Sequence, residues 1–337
     1  MPELHTSLES LQAMAVRILI AHDTSEKNAH EVARAVALAE ADGQVGHGAS
    51  RLPSYAAQAK SGKVDGHAEP TTEQFKSAAI RVNAKGGFAY PALERAINEL
   101  VKLAPGFGLA GASIANSHHS GVAGHHVEAL ARSGLIGLFF SNGPAAIAPW
   151  GGNRGVFSTN PIAFAAPRRE RDPLVIDMSL SKVARGKINL AAQMGDAIPE
   201  GLALDSNGLP TTDARAALAG TMLPMGDAKG AQLVLMVEIL AAALSASHFG
   251  YEAGSFFTGE GDQPRVGQFL LAIDPNAFSD NLFADRIEDL LTAILSQPGT
   301  RLPGERRFEN RTHAEANGVV IPSPVADQLR DLSKQAG

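Results

Sequence analysis

Short apolar runs that alternate with longer helical patterns constrain the fold of this chain more than any other feature. Each run is bounded by Gly, Pro or Asn and is almost uniformly apolar, which is typical of a strand buried on both faces of a sheet. The runs lie at 78–82, 109–115, 135–140, 162–166, 174–176 and 268–273. Apolar residues recur at helical spacing within 93–100, 183–193, 230–247 and 282–295. The alternation predicts an α/β fold with one buried sheet covered by helices.

The N-terminal 60 residues show helical patterns only. A cap at Thr24 or Ser25 begins a helix that ends near Gly43. A loop at 44–50 then leads to a second short helix that stops at Gly62. We therefore predict that this part of the chain is all helical.

Composition excludes several classes of function. The chain has 337 residues, of which 45% are apolar, so we expect two or more lobes. Its formal charge of -6 and scattered Lys and Arg residues argue against a nucleic-acid partner. The chain has no cysteine, which excludes disulfides and thiolate metal sites. The N-terminal residues do not resemble a signal peptide, and the apolar stretch 233–243 is too short to span a membrane, so we expect a cytoplasmic protein.

The segment 106–111 reads Gly-Phe-Gly-Leu-Ala-Gly and matches the glycine fingerprint of Rossmann dinucleotide-binding folds. That fingerprint needs a strand before the glycines and a helix after them, so that the helix N-terminus faces the pyrophosphate. Here the order is reversed, because a helix ending at Pro105 and Gly106 comes first and a strand follows. We predict a helix-to-strand turn without a role in binding.

Four histidines fall within nine residues, at His118, His119, His125 and His126. Imidazoles at this spacing can contact a cofactor or a substrate, and they can also converge on a metal ion. No His-Glu-x-x-His motif and no carboxylate lies among them, which argues against a metal site. Contact with a cofactor or substrate, a metal site and a plain packing role all remain open.

The loop 46–51 places His47 between two glycines and four residues before Arg51. A guanidinium can hold a carboxylate through two parallel hydrogen bonds, while an imidazole within reach can protonate an adjacent C=O or C=N group. This pair therefore suits a small 2-oxo or 2-imino acid. Taken alone, both residues are also common on a solvated surface.

Three further positions are candidates for ligand binding. Asp177 ends a predicted strand, where open α/β sheets gather ligands, although an N-cap role explains it equally well. Lys229 lies just before a long apolar helix and can hold a phosphate or remain solvated. Arg306 and Arg307 can neutralise another phosphate, although a charged tail is the commoner explanation.

Seven motifs occur in order along nearly the whole chain. They are Asn116-Ser117-His118-His119, Gly121-Val122-Ala123-Gly124, Ala148-Pro149-Trp150-Gly151-Gly152, Thr159-Asn160-Pro161, Ile176-Asp177-Met178, Leu223-Pro224-Met225-Gly226 and Arg301-Leu302-Pro303-Gly304. Together they resemble the malate/L-lactate dehydrogenase family, which is unrelated to the Rossmann dehydrogenases. That family includes malate, sulfolactate, ureidoglycolate and diketogulonate enzymes and the reductases of Δ1-piperideine-2-carboxylate and Δ1-pyrroline-2-carboxylate.

The resemblance implies a fold and a set of roles. It implies a non-Rossmann mixed sheet with helices that binds NAD(P) and substrate over residues 75–296, and a helical domain formed by 1–74 joined by the C-terminal segment 297–337. It makes His47 the proton donor, with Arg51 and Thr159 as substrate contacts. The implied cofactor contacts are His118, His119, Ser120, Gly121, Val122, Asp177, Met178, Ser179, Ala228, Lys229, Gly304, Glu305, Arg306 and Arg307.

Two positions depart from the family pattern. Gly46 replaces the serine that precedes the catalytic histidine, so the hydroxyl thought to relay charge to the imidazole is missing. Ser158 replaces a glycine before Thr159, which adds a hydroxyl near the substrate. Water or another side chain can take the place of the missing hydroxyl, or proton donation differs in this branch.

Within the family, the runs 141–150 and 263–268 resemble the cyclic-imine reductases most. We therefore predict NADPH-dependent reduction of Δ1-pyrroline-2-carboxylate, and of its six-membered homologue, to L-proline or L-pipecolate, with NADH as an alternative cofactor. The alternatives are a 2-hydroxy acid dehydrogenase of the malate or lactate type, a metal-binding protein built on the histidines, and a relative without catalytic activity. The family also implies a homodimer.

Overall fold

The computed structural model describes residues 3–335. Within them, seven strands form one mixed sheet in the order β2-β3-β4-β10-β5-β6-β7, and only β3 and β4 pair in parallel. The seven strands are β2 (Thr71–Lys76), β3 (Ala79–Asn83), β4 (Leu109–Ser117), β5 (Ile136–Ser141), β6 (Ile162–Ala166), β7 (Leu174–Met178) and β10 (Val266–Ile273). Every strand predicted from an apolar run is present, which confirms the α/β fold with a non-Rossmann sheet.

Twelve α-helices accompany the sheet within the described residues. They are α1 (Leu8–Ala21), α2 (Glu26–Ala41), α3 (Leu52–Lys60), α4 (Ala89–Phe107), α5 (Ala123–Arg132), α6 (Arg185–Met194), α7 (Ala214–Ala219), α8 (Asp227–Glu238), α9 (Asn276–Ser279), α10 (Phe283–Leu295), α11 (Glu305–Asn317) and α12 (Ser323–Gln335). Helices α4 and α5 cover one face of the sheet, and their apolar sides close the largest core cluster. None of the described helices is both long and apolar enough to cross a membrane.

The N-terminal part is not entirely helical, so this prediction was wrong in one respect. Strand β1 (Leu4–Thr6) pairs antiparallel with β11 (Val319–Ile321) near the other end of the chain. Three residues are too few for a pattern to distinguish a strand from the start of a helix, and their partner lies more than 300 positions away. Helices α1, α2 and α3 pack with β11 and α12 around a second core.

The turn at 106–111 lies where the sequence predicts it, between a helix and a strand. However, α4 continues through Pro105 to Phe107, instead of ending at Pro105 and Gly106. Proline lacks a hydrogen-bond donor, and near the end of the helix this removes one bond without stopping the last turn. Gly108 ends the helix in the left-handed conformation, with φ of +79°, and β4 follows at once.

Three regions were not fully predicted. Strand β2 was missed, because its mostly polar sequence contains no apolar run. The long apolar stretch forms α8 and then a π-helical turn, Ile239–Ala243, instead of one helix over 230–247. A small ribbon of β8 (Ala203–Leu204) and β9 (Thr221–Met222) joins α6 and α7 in a third core cluster. The C-terminal segment from 297, which the resemblance assigns to the helical domain, forms α11 and α12 with the short strand β11 between them. The proposed domain limits at 74/75 and 296/297 stay a prediction, and β2 crosses the first of them.

Candidate active site

A short loop between α2 and α3 carries His47 and Arg51 in two turns of 3-10 helix, Val45–His47 and Ala49–Arg51. The loop rests on Glu40, near the end of α2. The buried Glu40 carboxylate accepts a hydrogen bond from the Ala49 N–H at 2.7 Å. A side chain at Gly48 would collide with this carboxylate, so only glycine fits there. Glu40 therefore fixes the backbone between His47 and Arg51.

Arg51 has the features of an anion-binding group. Its Nε donates to the Gly46 carbonyl at 2.7 Å, and its guanidinium lies over the Phe257 ring, 4.8 Å from the ring centroid. Its Nη1 is buried and has no hydrogen-bond partner, and no carboxylate pairs with Arg51 among residues 3–335. A buried donor without a partner is costly. A carboxylate ligand would satisfy it.

His47 lies beside this guanidinium in a water-poor environment. Burial, with the Arg51 charge as the second cause, lowers the pKa of His47 to about 4. Its Nδ1 is buried without a partner. The imidazole is therefore neutral at pH 7 in the ligand-free chain. A proton donor must carry a proton. A bound anion that neutralises the Arg51 charge would raise the pKa of His47 and allow the imidazole to be protonated.

The four clustered histidines bind four different partners. Gln58 accepts from His118 at 2.6 Å, the Tyr55 hydroxyl meets His119 at 2.6 Å, Asp42 lies 2.9 Å from His125, and the Ser120 carbonyl accepts from His126 at 2.8 Å. No group of three or more potential metal ligands was found in the described part of the chain. Of the four, only His119 lies against His47, with parallel rings whose centroids are 5.2 Å apart.

Thr159, the second predicted substrate contact, is held by its neighbour Asn160. The Asn160 amide is fully buried and donates to the Val234 carbonyl at 2.9 Å and to Glu238 Oε2 at 2.8 Å. Glu238 also accepts from Asn142 at 3.0 Å and from the Gly250 N–H at 2.8 Å. The hydroxyl of Thr159 makes no hydrogen bond with the described residues. It is thus free to meet a ligand.

Asp177 and Arg307, both predicted cofactor contacts, contact each other. Asp177 Oδ2 accepts from the Gly124 N–H at 2.8 Å and from Arg307 Nη2 at 2.9 Å. Arg307 is buried and also approaches Asp42, at 3.4 Å from its Oδ2, while its Nη1 has no partner. These residues therefore join β7, the first turn of α5 and α11. The neighbouring Arg306 is exposed.

The remaining predicted cofactor residues line the same edge of the sheet. Gly304 packs against Val175 of β7, and Ser179 follows that strand. The Met225 N–H donates to the Leu180 carbonyl at 2.8 Å, which brings the start of α8 beside the end of β7. Ala228 and the exposed Lys229 lie in the first turn of that helix. The loop from His118 to Val122 leads directly into α5.

Several residues that build the site were not predicted from the sequence. The sequence places Tyr55 only on the apolar face of a short helix, yet its hydroxyl reaches His119. Asp42 showed only as a helix end, yet it binds His125 and Arg311. No local signal marks such roles, because they depend on contacts far apart in sequence. Glu40 was the one visible clue, since it lies four residues after Val36 on the apolar face of its helix, and a carboxylate buried there needs a partner.

Comparison with known proteins places this chain among the non-Rossmann oxidoreductases. The model of the malate/L-lactate dehydrogenase family matches residues 6–330, and the chain belongs to that family. Its relatives include the (2R)-3-sulfolactate dehydrogenase (NADP(+)) of Chromohalobacter salexigens, 52% identical over 324 residues and 96% of each chain. The Δ1-pyrroline-2-carboxylate/Δ1-piperideine-2-carboxylate reductase of Pseudomonas putida is 40% identical, over 96% of this chain and 95% of its own length.

The fold also has solved counterparts. The crystal structure of Δ1-piperideine-2-carboxylate reductase from Pseudomonas syringae pvar. tomato superimposes with a TM-score of 0.92 at 38% identity, covering 98% of this chain and 99% of that one. The resemblance found in the sequence motifs is thereby confirmed, and the chain is an oxidoreductase.

Proposed function

We propose that the chain uses NADPH to reduce a C=N or C=O group adjacent to a carboxylate in a small acid. The observation that carries this proposal is the unpaired Arg51 guanidinium next to His47 on one rigid loop. Arg51 holds the carboxylate through charge-assisted hydrogen bonds, and Thr159 contributes its hydroxyl. This places the carbon next to the carboxylate in front of His47.

The dihydronicotinamide, when bound, supplies the hydride to that carbon. His47 supplies the proton to the nitrogen or oxygen of the double bond. Since the Arg51 charge helps to keep the pKa of His47 at about 4, pairing Arg51 with a carboxylate removes one cause of that depression. The imidazole therefore takes up its proton together with the substrate. Positioning and charge complementarity contribute most of the remaining acceleration.

Residues at the edge of β7 fit a phosphate-bearing dinucleotide. Arg307 Nη1 is an unpartnered buried donor near the N-terminus of α5, and Lys229 adds an exposed cation at the start of α8. A cleft of about 530 Å³ adjoins Gly304, lined by Arg168, Arg171, Glu305 and Phe308 among others. In this cleft Arg168 is paired with Glu288, and Asp172, Glu305 and Glu309 also line it. The preference for NADPH over NADH therefore rests on the exposed Arg306 and on Arg307, since a 2′-phosphate needs a cation.

We favour a cyclic 2-imino acid as the substrate, Δ1-pyrroline-2-carboxylate or its six-membered homologue. An imine nitrogen is far more basic than a carbonyl oxygen and depends less on a strong acid in the protein. A neutral, half-buried His47 and the missing hydroxyl at Gly46 suit such a substrate. The relatives from Pseudomonas putida and Pseudomonas syringae are named for these imines.

A second candidate is the interconversion of (2R)-3-sulfolactate and its 2-oxo acid. The relative named for sulfolactate has the higher identity, and this substrate carries a second anion. Arg185, in the first turn of α6, offers a second cation without a carboxylate partner in the described residues, its one contact being the Leu218 carbonyl at 3.5 Å. Burial lowers the pKa of Arg185, which means that its charge is poorly solvated. An anion there would be stabilised.

A substrate panel tests both candidates. Initial rates with NADPH and with NADH are measured on Δ1-pyrroline-2-carboxylate, 3-sulfopyruvate, pyruvate and oxaloacetate at equal protein concentration. We expect the imine to have the highest kcat/KM and NADPH to be preferred. If kcat/KM is highest for 3-sulfopyruvate, and this preference is lost in Arg185→Met, the second candidate replaces the first. No turnover on any of the four would contradict the reaction class.

We also propose that the chain forms a homodimer through α8 and its π-helical extension. This segment is apolar on both sides, yet Leu233, Leu235, Met236, Ile239 and Leu244 are each 38% to 55% exposed. Monomeric proteins rarely expose a contiguous apolar face of this kind. A second copy is the favoured occupant because the same face on both partners is self-complementary about a two-fold axis.

Charged substitutions in this face test the dimer. We expect L235E/I239E to sediment as a monomer at concentrations where the wild-type protein is a dimer, because two carboxylates per subunit would lose their hydration at the interface. Leu209→Glu, at another exposed leucine, is the control and should leave the dimer intact. A dimeric double variant in analytical ultracentrifugation would exclude this interface.

A further inference from the structure

Two buried tyrosines and His119 form a continuous chain of hydrogen bonds beside the candidate proton donor. Tyr55, on α3, is fully buried, and its hydroxyl lies 2.6 Å from His119 Nδ1 and 3.0 Å from the Tyr90 hydroxyl. Tyr90, at the start of α4, is buried as well. Its hydroxyl packs against Gly121, where a side chain would collide with it. Both ends of this chain of hydrogen bonds therefore meet the predicted cofactor loop, at His119 and at Gly121.

The number of protons determines the direction of these hydrogen bonds. Burial raises the pKa of both tyrosines, so each hydroxyl keeps one proton to donate. If Tyr90 donates to Tyr55 and Tyr55 donates to His119 Nδ1, both protons are used. In the opposite direction the Tyr90 proton would be left without an acceptor, because the described residues offer its hydroxyl no other partner. The satisfied arrangement therefore makes Nδ1 of His119 an acceptor.

An imidazole that accepts at Nδ1 and is neutral carries its proton on Nε2. Burial, with the Arg51 charge second, lowers the pKa of His119 well below its usual value, so this ring is neutral. The His119 Nε2 makes no hydrogen bond with residues 3–335. It is not one of the fully buried atoms that lack a partner, whereas Nδ1 of His118 is one of them. The ring lies parallel to His47, with centroids 5.2 Å apart.

We propose that Tyr55 is a positioning residue that holds His119 as the Nε2–H tautomer, so that His119 offers a hydrogen bond to the reacting nitrogen or oxygen beside His47. This inference rests on the proposed function. A neutral donor polarises a C=N or C=O group without adding a further positive charge beside Arg51 and the protonated His47. The Tyr55 and Tyr90 hydroxyls, on α3 and α4, thus orient a polar group in a site where the hydroxyl at position 46 is missing.

Nitrogen NMR of histidine-labelled protein tests the tautomer directly. In the wild-type protein we expect the His119 Nε2 to carry the proton and Nδ1 to show the shift of a hydrogen-bonded acceptor. In Tyr55→Phe the Nδ1 shift should move toward that of a free acceptor. Tyr90→Phe is the matched comparison and should cause a smaller change, because Tyr55 can still donate. A proton on Nδ1 in the wild-type protein would overturn the proposal.

Kinetics test the consequence for the reaction. Losing one such hydrogen bond, worth about 1 kcal/mol, should lower kcat of Tyr55→Phe about fivefold. The Kd for NADPH should stay close to the wild-type value. The melting temperature of Tyr55→Phe should fall, because the buried Tyr90 hydroxyl and His119 Nδ1 lose their hydrogen-bond partner. His119→Gln, which places an N–H near the Nε2 position, should retain more kcat than His119→Asn, which imitates Nδ1.

The outcomes separate this inference from the proposed function. If no acid is reduced, the function fails while the NMR measurement still decides the tautomer. If turnover is present but Tyr55→Phe keeps both kcat and the Nδ1 shift, the positioning role is wrong. An equal loss of kcat in Tyr55→Phe and Tyr90→Phe would show a packing role only and would also overturn the inference.

Discussion

Replacing His47 by alanine is expected to lower kcat by about 100-fold or more, because the reacting nitrogen or oxygen loses its general acid. Binding of NADPH should be largely retained, since most of the residues proposed to hold it lie at the end of β7, at the start of α8 and in α11, and in the predicted cofactor loop His119 contacts the His47 ring. Steady-state rates and a fluorescence titration with NADPH measure the two quantities. A variant with near-normal turnover and intact cofactor binding would exclude His47 as the proton donor.

The pH dependence of kcat/KM shows whether the loss of activity in His47→Ala comes from the loss of an ionising group. The profile of kcat/KM reports ionisations in the free enzyme. With a pKa of His47 near 4, the protonated form becomes about tenfold rarer for each pH unit above that value, so kcat/KM should fall steadily between pH 6 and 8. An imine substrate adds its own ionisation to this slope, but only the wild-type enzyme should show the His47 contribution. His47→Ala should therefore have the shallower profile.

The second large effect is expected at Asp42, which holds α2, α5 and α11 together. Asp42 is buried and accepts from Arg311 at 2.7 and 2.9 Å, with His125 at 2.9 Å. Arg311 also binds Glu128 at 2.7 Å. Removing one member of a buried ion pair leaves its partner uncompensated and costs about 3–5 kcal/mol. We expect Asp42→Ala to lose about this much free energy of unfolding in urea at pH 7.

The pH dependence of this loss has a definite sign. Burial alone would raise the pKa of Asp42, but the hydrogen bonds from His125 and Arg311 outweigh it and lower the pKa. The stabilisation is then complete above the unfolded pKa of about 3.9 and disappears as the pH falls through the lower folded value. The gap between wild type and Asp42→Ala should narrow below about pH 4. Asp331→Ala, at an exposed ion pair, is the control and should change stability by less than about 1 kcal/mol.

Six of the seven strands of the sheet could be predicted because each carries its own signal, whereas the mostly polar edge strand β2 carries none. Runs such as 109–115 and 162–166 are apolar or small almost throughout, and burial on both faces of a sheet requires this composition. Rejecting the glycine fingerprint at 106–111 needed only the order of helix and strand. Loop 46–51 was similarly accessible, since a histidine between two glycines followed by an arginine is a local pattern.

What escaped prediction depends on partners far along the chain. Strand β1 exists only because β11 pairs with it. Arg307 looked like a free cation in a polar tail, whereas α11 buries it against Asp177 and Asp42. The role of the Tyr55 hydroxyl is visible only in the folded structure, where it binds His119 in the loop after β4. Such contacts leave no periodicity in the sequence, because tertiary packing alone creates them.

The pairing of β1 with β11 makes the chemistry sensitive to the far end of the polypeptide. The helices that flank the His47 loop share their core with Ile321, Ala326 and Leu329. A nonsense mutation after Gly318 would spare every residue proposed to touch substrate or cofactor. It would nevertheless remove β11 and α12 from the core of the helices that carry His47 and Arg51. We therefore expect such a late truncation to abolish activity as completely as an early one.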